Sequence, residues 1–311
     1  MAVRVYRHCE SFGGLPVRVF APDDEELGEP SAFAWRVEEA GYPAPVGGFE
    51  GKLAALAERG GDAVRSLVLG TWGFADGNAF PLEALLDVAP RLTGLRALFL
   101  ADLTPEESEI SWIEHDDITP LFAAFPALEA LRVRGSVLLS PVAHPALTEL
   151  AFESGGLPSE TVRALGDCDL PALRHLELWL GVPEYGGDTE VDDLAGVLEG
   201  GLLPALENLG LCNSPVSDAL AAAAVDAPIT AQLDVLDLSL GTLGDTGAEA
   251  LIAGRAKLAH LQRLDLHHHW ITPEARARLV AALPGVEVDL SEFIRPGLYE
   301  RKDRRYTAVS E

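Results

Sequence analysis

Three groups of residues in this chain have side chains and spacings from which chemistry could be built. His8-Cys9-Glu10 sets a thiol beside an imidazole. That pair makes a thiolate nucleophile only when the two meet in space with a third, orienting group. Neighbours on a strand point to opposite faces, so Cys9 reads as a cysteine of a capping segment. His267-His268-His269, close to Asp265, has the donor types of a metal site. Consecutive strand residues cannot all converge, however. Alternation leaves His267 on the face of Asp265 and turns His269 inward. The carboxylates Asp237, Asp265, Glu287 and Asp289 recur around this segment, and a cation between strands would take such oxygen ligands. A metal-dependent hydrolase using His267 and the neighbouring carboxylates is therefore the rival to a noncatalytic reading. A structural subunit of a larger assembly is a third. There is no Gly-Lys phosphate loop and no G-x-S-x-G elbow. The expectation is no enzyme, no cofactor and no metal.

The elements that position these residues follow from a repeat. Leu233-x-x-Leu236-x-Leu238 returns as Leu261-x-x-Leu264-x-Leu266, 28 residues on (233 to 261). Further copies are Val64/Leu67/Leu69, Leu95/Leu98/Leu100, Leu128/Leu131/Val133, Leu147/Leu150/Phe152, Leu173/Leu176/Leu178 and Leu206/Leu209/Leu211, with Leu283/Val286/Val288 as a ninth. Each copy predicts a short strand whose leucines face inward and whose intervening residues face out. One repeat cannot bury its own apolar face, so neighbours must stack into a parallel sheet. Helices are expected on the return segments at 81–89, 159–165, 191–199 and 218–225, and after Thr119-Pro120 and Thr272-Pro273, where Thr suits the N-cap and Pro the first turn. The shortest step, 19 residues (128 to 147), carries Gly135, Pro141 and Pro145; an extended return is expected there.

The stretch from Leu236 to Leu266 resembles the ribonuclease-inhibitor-type class of leucine-rich repeats, on Leu236, Leu238, Leu243, Gly244, Asp245, Gly247, Ala248, Ala250 and Leu251. The Asn that normally bonds buried backbone in that class is replaced by Gly241, and by His269 in the next copy. The chain as a whole is similar to bacterial cytoplasmic leucine-rich repeat proteins, on Tyr6-Arg7-His8-Cys9-Glu10-Ser11-Phe12 and on Arg305-Tyr306-Thr307-Ala308-Val309-Ser310-Glu311. The resemblance implies an α/β solenoid, with a curved parallel sheet on its concave face and helices and loops on its convex face. The organisation expected is an N-terminal capping segment over 1–60, a solenoid of about nine strands over 61–291, and a C-terminal cap or tail over 292–311. Strands are expected at 16–20 and 32–38, and a helix at 49–59. Phe293, Ile294, Leu298, Tyr299 and Tyr306 offer the tail apolar anchors.

Composition narrows the partners. The 311 residues carry 49 acidic and 23 basic side chains, a net charge of −26. A phosphate backbone would be repelled by that charge, which argues against nucleic acid. No apolar run reaches the roughly 18 residues a membrane span needs, and the start lacks the apolar core of a signal peptide. Three widely spaced cysteines, Cys9, Cys168 and Cys212, suggest reduced thiols and a cytoplasmic location.

The outward strand positions fall into two rows. One reads Val68, Phe99, Arg132, Ala151, Glu177, Gly210, Asp237, Asp265, Glu287; the next reads Gly70, Ala101, Arg134, Glu153, Trp179, Cys212, Ser239, His267, Asp289. Aromatic and Arg side chains anchor protein interfaces, and charge complementarity sets specificity. The expected function is a noncatalytic scaffold binding a protein partner, one with a basic surface, through Arg132, Arg134, Glu177, Trp179, Asp237, Asp265 and His267.

Overall fold

Leucines of successive repeats meet one another across strands, and that pairing organises the molecule. In the computed structural model, which describes residues 4–23, 26–39, 48–73, 78–295 and 305–310, the chain divides into two compact units, residues 1–153 and 154–310. Both are mixed α/β, each built on a parallel sheet.

Unit 1 begins with an antiparallel pair, β1 (Ser11–Phe12) and β2 (Leu15–Val19). Then come β3 (Ala34–Glu39), α1 (Gly48–Gly60), β4 (Ser66–Trp72), α2 (Leu82–Val88), β5 (Ala97–Leu100), β6 (Glu114–Asp117) and α3 (Pro120–Ala124). β7 (Ala130–Arg134), β8 (Ser136–Leu138) and β9 (Glu149–Glu153) complete it. Its main sheet runs β1-β2-β3-β4-β5-β7-β9, parallel from β2 onward. Leu67, Leu98, Leu131 and Leu150 stand in register, as do Leu69, Leu100, Val133 and Phe152. All eight are buried. These are the second and third apolar positions of the motif, so the phase of the repeat is the register of the sheet. The short return is extended, as its Gly and Pro content requires, and gives β8, which pairs with β6 apart from the main sheet.

Unit 2 contains α4 (Ser159–Gly166), β10 (His175–Trp179), α5 (Ala195–Glu199), β11 (Asn208–Cys212), α6 (Ser217–Asp226) and β12 (Val235–Asp237). α7 (Asp245–Ala253), α8 (Arg255–Leu258), β13 (Arg263–Asp265), α9 (Pro273–Ala282) and β14 (Glu287–Asp289) follow. The strands lie parallel in chain order, with Leu176, Leu209, Leu236 and Leu264 in line. The expected helices are present as α2, α4, α6 and α9, and the 191–199 segment is a 3-10 turn (Val191–Leu194) leading into α5. Thr272 caps α9 by accepting the Ala275 N–H at 3.4 Å. Thr119 does not cap α3, because its own backbone is already helical; Asp117 Oδ1 instead accepts the Thr119 N–H at 2.9 Å.

One register differs from the sequence expectation. β14 pairs Val288 with Leu264 and Asp289 with Asp265, so the last copy starts two residues later than the apolar count suggests and Glu287 aligns with Arg263. The cause is a local motif, Asp-Leu-Ser/His, at 237–239, 265–267 and 289–291. In each, the Asp Oδ1 accepts the N–H two residues on, at 2.9, 3.1 and 2.9 Å. This side-chain turn closes each strand at the same residue and fixes the alignment that a weak apolar pattern leaves open.

The positions where the resembled class carries Asn are served by other groups. His269, fully buried, accepts the Ile271 N–H on Nδ1 at 3.1 Å and donates from Nε2 to the Leu290 carbonyl at 3.0 Å. At Gly241 there is no room for a side chain: a Cβ would lie 2.1 Å from Ser217 Oγ. Hydroxyls take over there, with Ser217 Oγ donating to Ser214 O at 2.8 Å and accepting the Thr242 N–H at 3.0 Å. Of the expected tail anchors, Phe293 lies against His269 with ring centroids 5.6 Å apart, and Tyr306 against Trp270 at 4.9 Å. Leu298 and Tyr299 lie outside the described residues. Among the described residues no helix is long and apolar enough to cross a membrane.

Candidate functional site

The outward face of the unit 1 sheet gathers charge around one carboxylate. Asp102, just past β5, is fully buried. Its Oδ2 accepts Arg36 Nη1 at 2.6 Å and the Cys9 N–H at 3.0 Å, and its Oδ1 accepts Arg134 Nη1 at 3.5 Å. Arg36 also reaches Glu38. Burial opposes the Arg36 charge, but Glu38 and Asp102 outweigh it and raise its pKa. Arg134 is itself buried, with Nε 2.9 Å from Glu153 Oε2, and Arg132 Nη1 lies 3.2 Å from Glu153 Oε1. Both guanidiniums cover Phe99, at 5.6 Å for Arg132 and 5.3 Å for Arg134. A cleft of about 280 Å³ opens here, with His8, Cys9, Phe99, Asp102 and the two arginines among its lining. Its thiol is not activated. Burial first, then Asp102, pushes Cys9 up to about 12, whereas a nucleophilic cysteine needs a lowered pKa. His8 Nε2 is 2.7 Å from Glu107 Oε2.

In unit 2 the outward positions form a different row. Glu177, Gly210, Asp237, Asp265 and Asp289 stand in register on β10 to β14. Trp179 is buried, its Nε1 donating to Glu177 Oε1 at 2.6 Å. Asp237, Asp265, Asp289 and His267 are half-buried. His267 Nδ1 lies 2.8 Å from Asp265 Oδ1, and Arg263 Nη2 lies 2.8 Å from Asp265 Oδ2 and 2.6 Å from Asp289 Oδ2. Burial disfavours ionised Asp265, yet the His267 and Arg263 hydrogen bonds hold its carboxyl at about 2. Burial likewise opposes the His267 charge, but Asp265 outweighs it and raises the imidazole pKa. Burial first, and then the nearby Asp265, raise Asp237 against the Ser239 hydrogen bonds.

The seven side chains singled out from the sequence thus divide between the units. Arg132 and Arg134 share Glu153 in unit 1. In unit 2, Glu177 pairs with Trp179 and Asp265 with His267, while Asp237 neighbours Asp265 in register. The three consecutive histidines point apart: His267 to Asp265, His269 to the Leu290 carbonyl, and His268 to the Tyr306 ring at 6.2 Å. Among the described residues no three His, Cys, Asp or Glu side chains are placed to hold a metal ion together. Sequence reasoning missed Arg263, which bridges three carboxylates, Asp265, Asp289 and Glu287. Its position two residues before Asp265 on one strand face was the available signal.

The class these observations define is an α/β protein with a leucine-rich-repeat-like fold, its parallel strands carrying L-x-x-L-x-L in register. Among solved structures the chain is similar to a protein from Bacteroides fragilis, at 28% identity and a TM-score of 0.70, over 75% of this chain and 67% of that one. It also matches an internalin from Listeria monocytogenes at 15% identity and a TM-score of 0.38, over 84% of this chain and 81% of that one. No protein-family model and no curated protein matches the chain.

Proposed function

We propose that this chain is a noncatalytic protein-interaction scaffold of the leucine-rich repeat solenoid type, working in the cytoplasm and binding a partner with a basic surface through its outward strand face. The observation that carries this reading is the aligned row Asp237, Asp265 and Asp289 on adjacent strands, half-buried and bordered by His267. Three carboxylates at one register, in a protein of net charge −26, give a negative stripe that attracts and orients a positive partner. Arg263 neutralises part of the stripe, at Asp265 and Asp289.

The test uses Asp237→Asn with Asp265→Asn, which removes charge but keeps the oxygen that accepts the backbone N–H. Affinity capture from the native host with mass spectrometry should enrich a basic protein on the wild-type chain and about tenfold less on the double variant. Equal capture by both, with unchanged melting, would sink the strand-face reading.

A further inference from the structure

The turns that end β11, β12 and β13 form a row in unit 2, and residues 305–310 lie across it. Asn213, Leu240 and His268 occupy the same turn position in three successive repeats, each with left-handed backbone (φ 54°, 64° and 56°). The repeats build this row themselves: Asn213 N–H donates to Ser239 O, Leu240 N–H to His267 O and His268 N–H to Ser291 O. Other polar groups of the row meet the tail. Leu240 O accepts the Ala308 N–H at 2.7 Å. The Asn213 side chain takes both backbone groups of Val309, Oδ1 accepting its N–H at 3.0 Å and Nδ2 donating to its carbonyl. Trp270 Nε1 donates to Tyr306 O at 3.3 Å while the two rings meet edge to face. Asp218 Oδ2 takes Arg305 Nη1 at 2.6 Å. Gly244 makes that seat possible, since a Cβ there would lie 2.3 Å from the guanidinium.

Main-chain hydrogen bonds that hold an extended segment, with separate seats for chosen side chains, are how peptides are recognised at exposed edges. We infer that this row is a peptide-recognition groove for a segment of the form Arg-Tyr-x-x-Val, that the chain's own C-terminal residues are its resident ligand, and that a partner presenting such a segment binds by displacing them. The groove floor rests on repeat hydrogen bonds that do not involve the tail, so it is preformed. Arg305 and Tyr306 stay exposed, Tyr306 at 46%, whereas Thr307 and Val309 are buried. Exposed ion pairs such as Arg305–Asp218 contribute little. A tethered ligand needs little intrinsic affinity, because its local concentration is on the order of millimolar. A free segment with better contacts can therefore compete. The groove uses none of the strand-face carboxylates, so it stands or falls separately from the function proposed above.

The probe is a fluorescently labelled peptide, Arg-Tyr-Thr-Ala-Val-Ser-Glu. The receptor is the full chain carrying Arg305→Glu, Tyr306→Ala and Val309→Asp, so that its own tail cannot compete. Anisotropy should show saturable binding that weakens about tenfold when Asn213→Ala removes the two hydrogen bonds to Val309, together with the one from Nδ2 to Ser154 O at 3.3 Å. The unaltered chain should bind the peptide several-fold more weakly than the tail variant. Gly244→Ala crowds the Arg305 seat from the other end and should weaken binding in the same direction but by less, which keeps a reading if Asn213→Ala unfolds the protein. A folded tail variant that takes up no peptide, or takes it up regardless of both groove substitutions, overturns the inference. So does loss of folded unit 2 in the tail variant, because the tail would then be a structural part and not a ligand.

Discussion

Burial of His115 makes unit 1 less stable in acid. Its ring packs against Trp72 and Phe80, its Nε2 donates to Arg134 O at 2.8 Å, and burial lowers its pKa from 6.5 to about 4. A histidine kept neutral in the fold stabilises it fully above pH 6.5, and that contribution is lost as pH falls from 6.5 through about 4. The whole loss is about 3 kcal/mol. Denaturant titrations at pH 7 and pH 4.5 should show it, and His115→Gln should shrink the difference by about 2–3 kcal/mol; an equal drop in the variant would assign it elsewhere. At this scale alternation was a partial guide. It put Asp265 and His267 on one face, where they bond. It did not give depth. Arg134 and Trp179 face outward by sequence, yet both are buried, Arg134 beneath neighbours that come from residues 99, 102 and 153. Such distances in sequence leave no local trace.

The elements were the most legible part, because a leucine at the same place in each copy must meet the next one. Leu236 and Leu264 do so directly. The exception is β14, whose Val286 and Val288 offer a weaker apolar signal than the Asp-Leu-Ser turn that closes the strand. The turns behind the strands were less legible, since the same backbone bonds can be made by Asn, by hydroxyls or by an imidazole. His269 gives a direct test. His269→Asn keeps a donor and an acceptor and should cost little, whereas His269→Leu leaves the Ile271 N–H and the Leu290 carbonyl unpaired and should cost about 3 kcal/mol. Thermal melting of the two variants checks this; equal melting temperatures would mean the imidazole bonds contribute nothing.

For the molecule as a whole, the net charge of −26 was read from composition, but the ion-pair network inside unit 1 was not. Repeat arrays are ordinarily held by contacts between neighbours, so that an end repeat can fray while the rest persists. Unit 1 is tied otherwise. Arg36 on β3 and Arg134 on β7 share Asp102, and Arg134 and Arg132 share Glu153 on β9. Detaching β9 would take Glu153 from both Arg132 and Arg134 and leave Arg134 with Asp102 alone, at 3.5 Å; losing one partner of a buried ion pair costs about 3–5 kcal/mol. Fraying one strand at a time is therefore closed to this unit, which should open in a single step. Native-state hydrogen exchange should give the backbone amides of β3 and β9 the same opening free energy, and Glu153→Gln should separate them. Separate values in the unaltered chain would show that the ion network does not couple the strands. A stack of semi-independent repeats thereby gains an all-or-none response to denaturants and proteases.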